Sequence, residues 1–408
     1  MERFKKVSSC RVCGSENLSK YLDLGSVPPC NSLLKSKEDN SEYYPIEVYF
    51  CEECFMSQLG VTVNPEILYK DYVYHSSISK TFQEHCTGLV YRILTDFNIN
   101  DNDLIVDIAS NDGCLLKKFK NAGFNNVVGI EPSENLTEQY EDLEIGQINR
   151  FFNFEIAKLL RDTGGIGAKV ITAQNVLAHV DDLLDFLRGV NYLLDYDGIF
   201  IAEFPHLMNL IKHNQIDTIY HEHLSYFLLK PIIEIFKNNG LNLFRVEEVN
   251  IHGGSLRVYA SRNNYRVDST INELIYKETR NGCYDYLTYN MFNNRFCMLK
   301  DSLIKTLDGM RKDGKKVMGF GASAKGISLL NYLGIDSSHI HSIVDETADK
   351  QGKWTPGSKI PIVGFGEFLK EKPDYILLLA WNFSQEMIDK TSFLGCQYII
   401  PIPDVVVV

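Results

Sequence analysis

Two Cys-x-x-Cys knuckles, Cys10-Arg11-Val12-Cys13 and Cys51-Glu52-Glu53-Cys54, restrict how the start of this chain can fold. Each knuckle brings two thiolates within reach of one ion, and two knuckles supply the tetrahedral sulfur set that zinc prefers. The spacing therefore predicts zinc held by Cys10, Cys13, Cys51 and Cys54. The gap between the knuckles exceeds that of a minimal zinc ribbon, so a small domain is expected around the ion. Without such a staple, a core of about 70 residues would be marginal. The knuckles are far along the chain from any acidic or histidine cluster, so the expected role is structural, with no direct effect on chemistry.

Zinc knuckles invite a nucleic-acid reading, and the charge argues against it. The net charge is −12 and the pI about 5.4, whereas a phosphate-binding surface needs a basic excess. No run of ~18 apolar residues exists to span a bilayer. The N-terminal Met1-Glu2-Arg3-Phe4-Lys5-Lys6 has no apolar stretch behind it, so no signal peptide is expected. Ten cysteines without a secretion signal fit a reducing cytoplasm and metal binding better than disulfides. The expected location is cytoplasmic, and no obligatory protein partner is evident.

Beyond the knuckles the chain reads as α/β, with two successive Rossmann-like units. Leu104–Ile108, Val127–Glu131, Val170–Ala173 and Gly198–Glu203 are apolar strands, with a helix expected over Cys114–Ala122. The alternation restarts at Lys316–Phe320, His339–Val344 and Asp374–Ala380. The expected domains are 1–70 (zinc), 71–265 (the first doubly wound sheet) and 266–408 (the second).

Ligands of such sheets bind beyond the carboxyl ends of the strands. There the first unit carries Asp107-Ile108-Ala109-Ser110-Asn111-Asp112-Gly113. The common methyltransferase loop is acid-x-Gly-x-Gly-x-Gly, and only its last glycine stands here. Glu131 ends the next strand, 18 positions after Gly113, where a carboxylate can accept from both ribose hydroxyls. A loop poor in glycine disfavours pyrophosphate, so S-adenosylmethionine (SAM) fits better.

Three polar sets are expected to face one cleft. Asp217-Thr218-Ile219-Tyr220-His221-Glu222-His223-Leu224-Ser225-Tyr226-Phe227 is dense in titratable groups, open to a metal-binding or a general-base reading. The others are Asn175-Val176-Leu177-Ala178-His179 and Tyr72-Val73-Tyr74-His75-Ser76-Ser77.

With these motifs in view, the chain resembles the SAM-dependent sugar C-methyltransferases of deoxysugar pathways over nearly its whole length. Besides the paired knuckles, the shared features are Ser110–Gly113, Asn175–His179, Glu203-Phe204-Pro205, Tyr220–His223, His252-Gly253-Gly254-Ser255-Leu256-Arg257, Lys325-Gly326, Pro356-Gly357 and Trp381-Asn382. The resemblance implies methylation at C3 of a nucleotide-linked 4-keto-6-deoxysugar. His223 would abstract the C3 proton as a neutral imidazole. Glu222 would orient the ring or take part in proton traffic. Tyr220, Tyr74 and His179 would line the sugar and donate to the enolate oxygen. Asp107, Ala109, Asn111, Asp112, Gly113, Glu131, Asn175 and Leu177 would hold SAM; Tyr72 and Arg257 would belong to the substrate side.

The second unit opens with Gly319-Phe320-Gly321-Ala322-Ser323-Ala324-Lys325-Gly326, which satisfies G-x-G-x-x-A, and Asp345 lies 24 positions beyond Gly321. Read alone, that is a dinucleotide fingerprint, and an NAD-dependent sugar-nucleotide oxidoreductase is the competing reading. In the resembling family this turn helps to bind the diphosphate and nucleoside of the sugar nucleotide. Ser323, Lys325 and Asn382 would then be substrate contacts. An O- or N-methyltransferase, or a zinc-ribbon binding protein with an inactive core, are further alternatives.

Overall fold

The computed structural model describes residues 3–69, 72, 74–138, 140–141 and 143–408. Val73 of the third polar set lies outside the described residues.

The N-terminal module is built on β1 (Leu18–Val27), β2 (Tyr44–Cys51) and β3 (Ser57–Leu59), with the second knuckle in the turn between β2 and β3. Residues along β2 alternate between buried and half-buried, as the pleat of a strand with one face in the core requires. The helix α1 (Lys80–Asp96) then leads into the middle unit.

That unit runs β4 (Leu104–Ile108), α2 (Cys114–Asn121), β5 (Val127–Ile130), β6 (Gly146–Ile148), α3 (Phe154–Gly164), β7 (Ala168–Gln174), α4 (Leu183–Leu193) and β8 (Leu194–Pro205). After an irregular stretch come β9 (Ser225–Tyr226), α5 (Leu229–Asn238), β10 (Asn242–Val249) and β11 (Ser255–Ser261). Seven of these strands form one sheet in the order β10-β11-β8-β7-β4-β5-β6. β4 is buried throughout, which is why it reads as a continuous apolar run. β11 is antiparallel to both neighbours, and no helix-strand alternation in the sequence announced the β10–β11 pair.

β9 does not join that sheet. It pairs antiparallel with β3, so the four-stranded sheet of the zinc module has the order β9-β3-β2-β1. The residues directly after the Tyr220–His223 set therefore belong structurally to the N-terminal module.

The C-terminal part begins with α6 (Ser269–Arg280) and the long α7 (Tyr286–Lys312). It continues through β12 (Val317–Phe320), α8 (Ala324–Leu333), β13 (Ile343–Val344), β14 (Ile362–Val363), β15 (Tyr375–Leu378), β16 (Gln397–Ile400) and β17 (Val406–Val407). Its sheet order is β14-β13-β12-β15-β16-β17, parallel except for the last pair. β13 is only two residues long, shorter than the expected His339–Val344, because His339 hydrogen-bonds locally to Asp336 instead of entering the ladder. Among the described residues no helix is long and apolar enough to cross a membrane.

Candidate active site

The four knuckle sulfurs lie within 4.8 Å of one another, with Cys10–Cys54 at 3.5 Å and Cys13–Cys51 at 3.6 Å. Zinc–sulfur bonds of ~2.3 Å place tetrahedral sulfurs about 3.8 Å apart, so the set fits the ion. Around it the first knuckle is tied to β3. The backbone N–H of Arg11 donates to Gln58 Oε1 at 2.8 Å, and the Arg11 guanidinium donates to the Leu59 carbonyl at 2.7 Å. The backbone N–H of Leu59 in turn donates to Leu224 at 2.9 Å, one residue beyond His223. A short chain of hydrogen bonds thus connects the zinc site to the polar cluster, although the two are far apart in sequence.

The β4 loop keeps the backbone of the glycine-rich pattern without its glycines. Ala109, Asn111 and Gly113, at the three glycine positions, have φ of 53°, 52° and 74°. Asn tolerates this left-handed region, whereas Ala is strained there. Replacing Ala109 by Gly is expected to stabilise the protein by up to about 1 kcal/mol in denaturant unfolding, because relief of that strain outweighs the added freedom of the unfolded chain.

Glu131 lies beneath this loop. Its carboxylate accepts the N–H groups of Asn111 and Ser133, each at 2.9 Å, while burial pushes its pKa up. Asp107 accepts the Thr172 hydroxyl at 2.6 Å and is raised to about 7 by burial, with the nearby Glu131 charge adding to the rise. Asn111 also clasps the preceding segment, donating to the Tyr74 carbonyl at 3.0 Å and accepting from Ser76 N–H at 2.9 Å. Asp112 Oδ1, Asn175 Oδ1 and Gln174 Nε2 are buried without a hydrogen-bond partner among the described residues. Three orphaned polar atoms at the carboxyl ends of the adjacent strands β4 and β7 suit a polar ligand, and SAM, with its ribose, amine and carboxylate, has the groups to satisfy them. Leu177 is fully buried beside them. Glu131→Ala is expected to weaken SAM at least about tenfold in calorimetric titration, since two charge-assisted bonds to the ribose would be lost.

The catalytic candidates meet across the β7 edge. His223 Nδ1 lies 2.6 Å from the Thr218 carbonyl, which accepts but cannot donate, so Nδ1 carries the proton. Nε2 is then the basic nitrogen, and it accepts from the Tyr220 hydroxyl at 2.9 Å. Burial, together with His179 and Lys325, holds the His223 pKa well below the usual imidazole range and keeps the ring neutral. His179 packs edge-on to His223, with ring centroids 4.9 Å apart, and burial lowers its pKa to about 4.

Glu222 does not orient the His223 ring; the Thr218 carbonyl does. The Glu222 carboxylate turns instead to Asn31 Nδ2 at 2.6 Å and the Tyr72 hydroxyl at 3.1 Å. Burial raises it to about 7. Between its ordinary value of 4.5 and about 7 the native protein keeps a proton that the unfolded chain has released, so stability falls as pH rises through that window. Glu222→Gln is accordingly expected to melt higher than the parent at pH 8 and about equally at pH 4, by thermal scanning.

Tyr74 stands at the Asp112 side of the loop, half-exposed, with no hydrogen bond to the His223 group. Arg257 is buried against Glu203, with Nε donating at 3.0 Å, and His85 Nε2 lies 2.8 Å from the same carboxylate. It therefore serves an internal ion pair at the β8–β11 junction. Ser323 caps α8, accepting from Gly326 N–H at 3.0 Å, and Asn382 is half-buried in the short turn Trp381–Phe383. Lys325 is brought to the His223 side. Its Nζ donates to the His252 carbonyl at 2.9 Å and faces Asp217, whose carboxylate accepts Trp381 Nε1 at 2.6 Å.

Three participants escaped the sequence reading. Tyr69 places its hydroxyl 2.9 Å from His179 Nδ1; Asn31 and His85 reach carboxylates of the middle unit. All are single residues in unremarked segments, and only the fold brings them to the cluster.

A methyltransferase-type seven-stranded sheet, a four-cysteine zinc module and a second doubly wound sheet define the class. The chain matches a zinc binding domain over residues 10–69, a methyltransferase domain over 80–246 and a C-methyltransferase C-terminal domain over 250–403. It is 34% identical over 407 residues to C-methyltransferase NovU of Streptomyces niveus, spanning 98% of this chain and 96% of that one. The protein belongs to the family of SAM-dependent C-methyltransferases, with a structural zinc site.

Two crystal structures are also similar to part of the chain. Magnesium protoporphyrin IX methyltransferase of Synechocystis PCC 6803 with bound SAM covers 44% of this chain and 79% of its own, at 16% identity and a TM-score of 0.34. A SAM-dependent methyltransferase of Clostridium acetobutylicum ATCC 824 covers 45% and 92%, at 13% identity and 0.36. At these scores neither adds to the assignment.

The match over 250–403 removes the oxidoreductase reading of the Gly319–Gly326 turn, and C-methylation replaces the O- and N-methyl alternatives. Asp345, the acid that a dinucleotide ribose would need, is engaged by the Thr347 N–H at 2.9 Å and faces Lys350 Nζ at 3.5 Å.

Proposed function

We propose that the acceptor carbon is C3 of a nucleotide-linked 4-keto-6-deoxysugar, with His223 as the base. The observation that carries this reading is the fixed tautomer of His223. A carbonyl holds Nδ1–H, so Nε2 carries the lone pair, capped by the Tyr220 hydroxyl, in a buried site where the ring stays neutral. A carbon acid beside a ketone is the acceptor such a base can activate.

SAM, when bound at the β4 loop, supplies an electrophilic methyl group. The chain's own residues do the rest. His223 Nε2 takes the proton of the acceptor carbon. Tyr220, whose pKa burial drives well above the usual phenol range, remains protonated, and its one O–H would turn from His223 Nε2 to the developing enolate oxygen as Nε2 takes the proton. Tyr69 lies 2.9 Å from His179 Nδ1, and an O–H donated there would leave the His179 proton on Nε2 as a second neutral donor. Holding the two reactants in line accounts for most of the acceleration.

We assign the nucleotide to the C-terminal part, 266–408, where Ser323, Lys325 and Asn382 would meet the diphosphate; the middle part, 71–265, holds SAM, and residues 1–70 hold zinc. Tyr72 and Tyr74 would close over the sugar. The buried Lys325 beside His223 supports an anionic substrate. The reading puts the enzyme in the cytoplasm, in deoxysugar assembly for a surface polysaccharide or a glycosylated metabolite, with no obligatory protein partner.

The test is hydrogen exchange in D2O without SAM, followed by NMR on 4-keto-6-deoxysugar nucleotides. Enzyme-dependent loss of the C3 proton that disappears in His223→Ala is the expected result. Exchange only at another carbon, or exchange that survives the substitution, would overturn the position or the base.

A further inference from the structure

Glu222 follows His221 and precedes His223, yet its carboxylate is held by a residue from the far end of the chain. Asn31 lies between the two knuckles, in the connection from β1 to β2, directly after the buried Pro28-Pro29-Cys30 turn. Its Nδ2 donates to Glu222 Oε1 at 2.6 Å, across 191 sequence positions. Cys30 Sγ stands 3.9 Å from the same oxygen, and the Tyr72 hydroxyl donates to Oε2 at 3.1 Å.

The titratable groups facing Glu222 are Cys30, Tyr69, Tyr72 and Tyr220, on three separate segments. Burial keeps each of them protonated and neutral, so no cation offsets the carboxylate. A buried carboxylate in such a setting depends on hydrogen-bond donors to ionise at all. The thiol and the phenols can rotate their hydrogens away or accept, but an amide nitrogen can only donate. The Asn31 donor also makes the two oxygens unequal. Oε1 faces a fixed N–H and is the poor site for a proton; Oε2, beside the Tyr72 hydroxyl, is the good one.

We propose that Asn31 is a positioning residue of the reaction, supplied by the zinc module, which pins Glu222 Oε1 so that the carboxyl gains and releases its proton through Oε2 toward Tyr72. The proposal deepens the proposed C-methylation and rests on it, together with the expectation from the family resemblance that Glu222 takes part in proton traffic.

The test uses the full-length, zinc-loaded enzyme and pH-difference infrared spectroscopy. The carbonyl band of protonated Glu222 is identified by its loss in Glu222→Gln. Asn31→Ala is expected to raise the midpoint of that band by about one pH unit, a tenfold gain in proton affinity. Asn31→Asp, of the same shape, is expected to raise it further, because carboxyl then faces carboxyl. Zinc content and SAM affinity should be unchanged in both. Turnover of Asn31→Ala should fall through kcat rather than through the KM for SAM, with the pH profile displaced in step with the infrared midpoint. A midpoint equal to that of the parent in both variants would overturn the proposal. So would loss of zinc or SAM binding in both, which would make Asn31 a purely structural residue. If Glu222→Gln keeps full turnover while the infrared midpoint still moves, the hydrogen-bond assignment stands and the catalytic reading of Glu222 falls instead.

Discussion

His223→Ala is expected to lower kcat by about 10³-fold or more, at the upper range for loss of a general base, while SAM affinity stays within about twofold. The separation follows from the site's construction. His223 is held by Thr218 and Tyr220 within its own loop and makes no hydrogen bond to the β4 loop, Glu131 or Asn175. Single-turnover kinetics together with SAM calorimetry check both halves. Loss of SAM binding would move His223 into the cofactor site and remove it as the base.

The second large effect is expected from the metal. Cys10→Ser should release zinc and, with it, most of the turnover, while SAM still binds the seven-stranded sheet. Structural zinc sites contribute folding energy outright, with apparent values of about 10 kcal/mol or more in small peptides. Here the folded unit that depends on the ion includes β9, which pairs with β3 two residues beyond His223. It also includes Asn31, on Glu222. The distance along the chain suggested a zinc site with no direct effect on chemistry. In space the two are joined through Arg11, Leu59 and Leu224. Metal analysis, turnover and SAM titration on one preparation decide the matter, and full activity in a zinc-free protein would refute this coupling.

Much of the architecture was legible because it rests on short-range rules. The knuckle spacing announced the metal. Continuous apolar runs announced the parallel strands, since a strand covered on both faces needs no polar alternation. The carboxyl edge of the sheet followed from those strands, and with it the places of the β4 loop and Glu131. Ala109 and Asn111 hid part of the loop motif. Their backbone angles show that the conformation persists where the glycines do not.

What the sequence determined by itself was the inventory: four thiolates for zinc, two doubly wound sheets, an acid at the end of β5 and a cluster of histidines and tyrosines. What only the tertiary structure decided was the pairing within that inventory. Which nitrogen of His223 is the base depends on a carbonyl five residues away. Glu222 answers to Asn31 and Tyr72, and Arg257 answers to Glu203 and His85. The physical reason is that a buried polar group must find a partner, and the partner is set by packing between segments remote in sequence, about which local propensity and spacing carry no information.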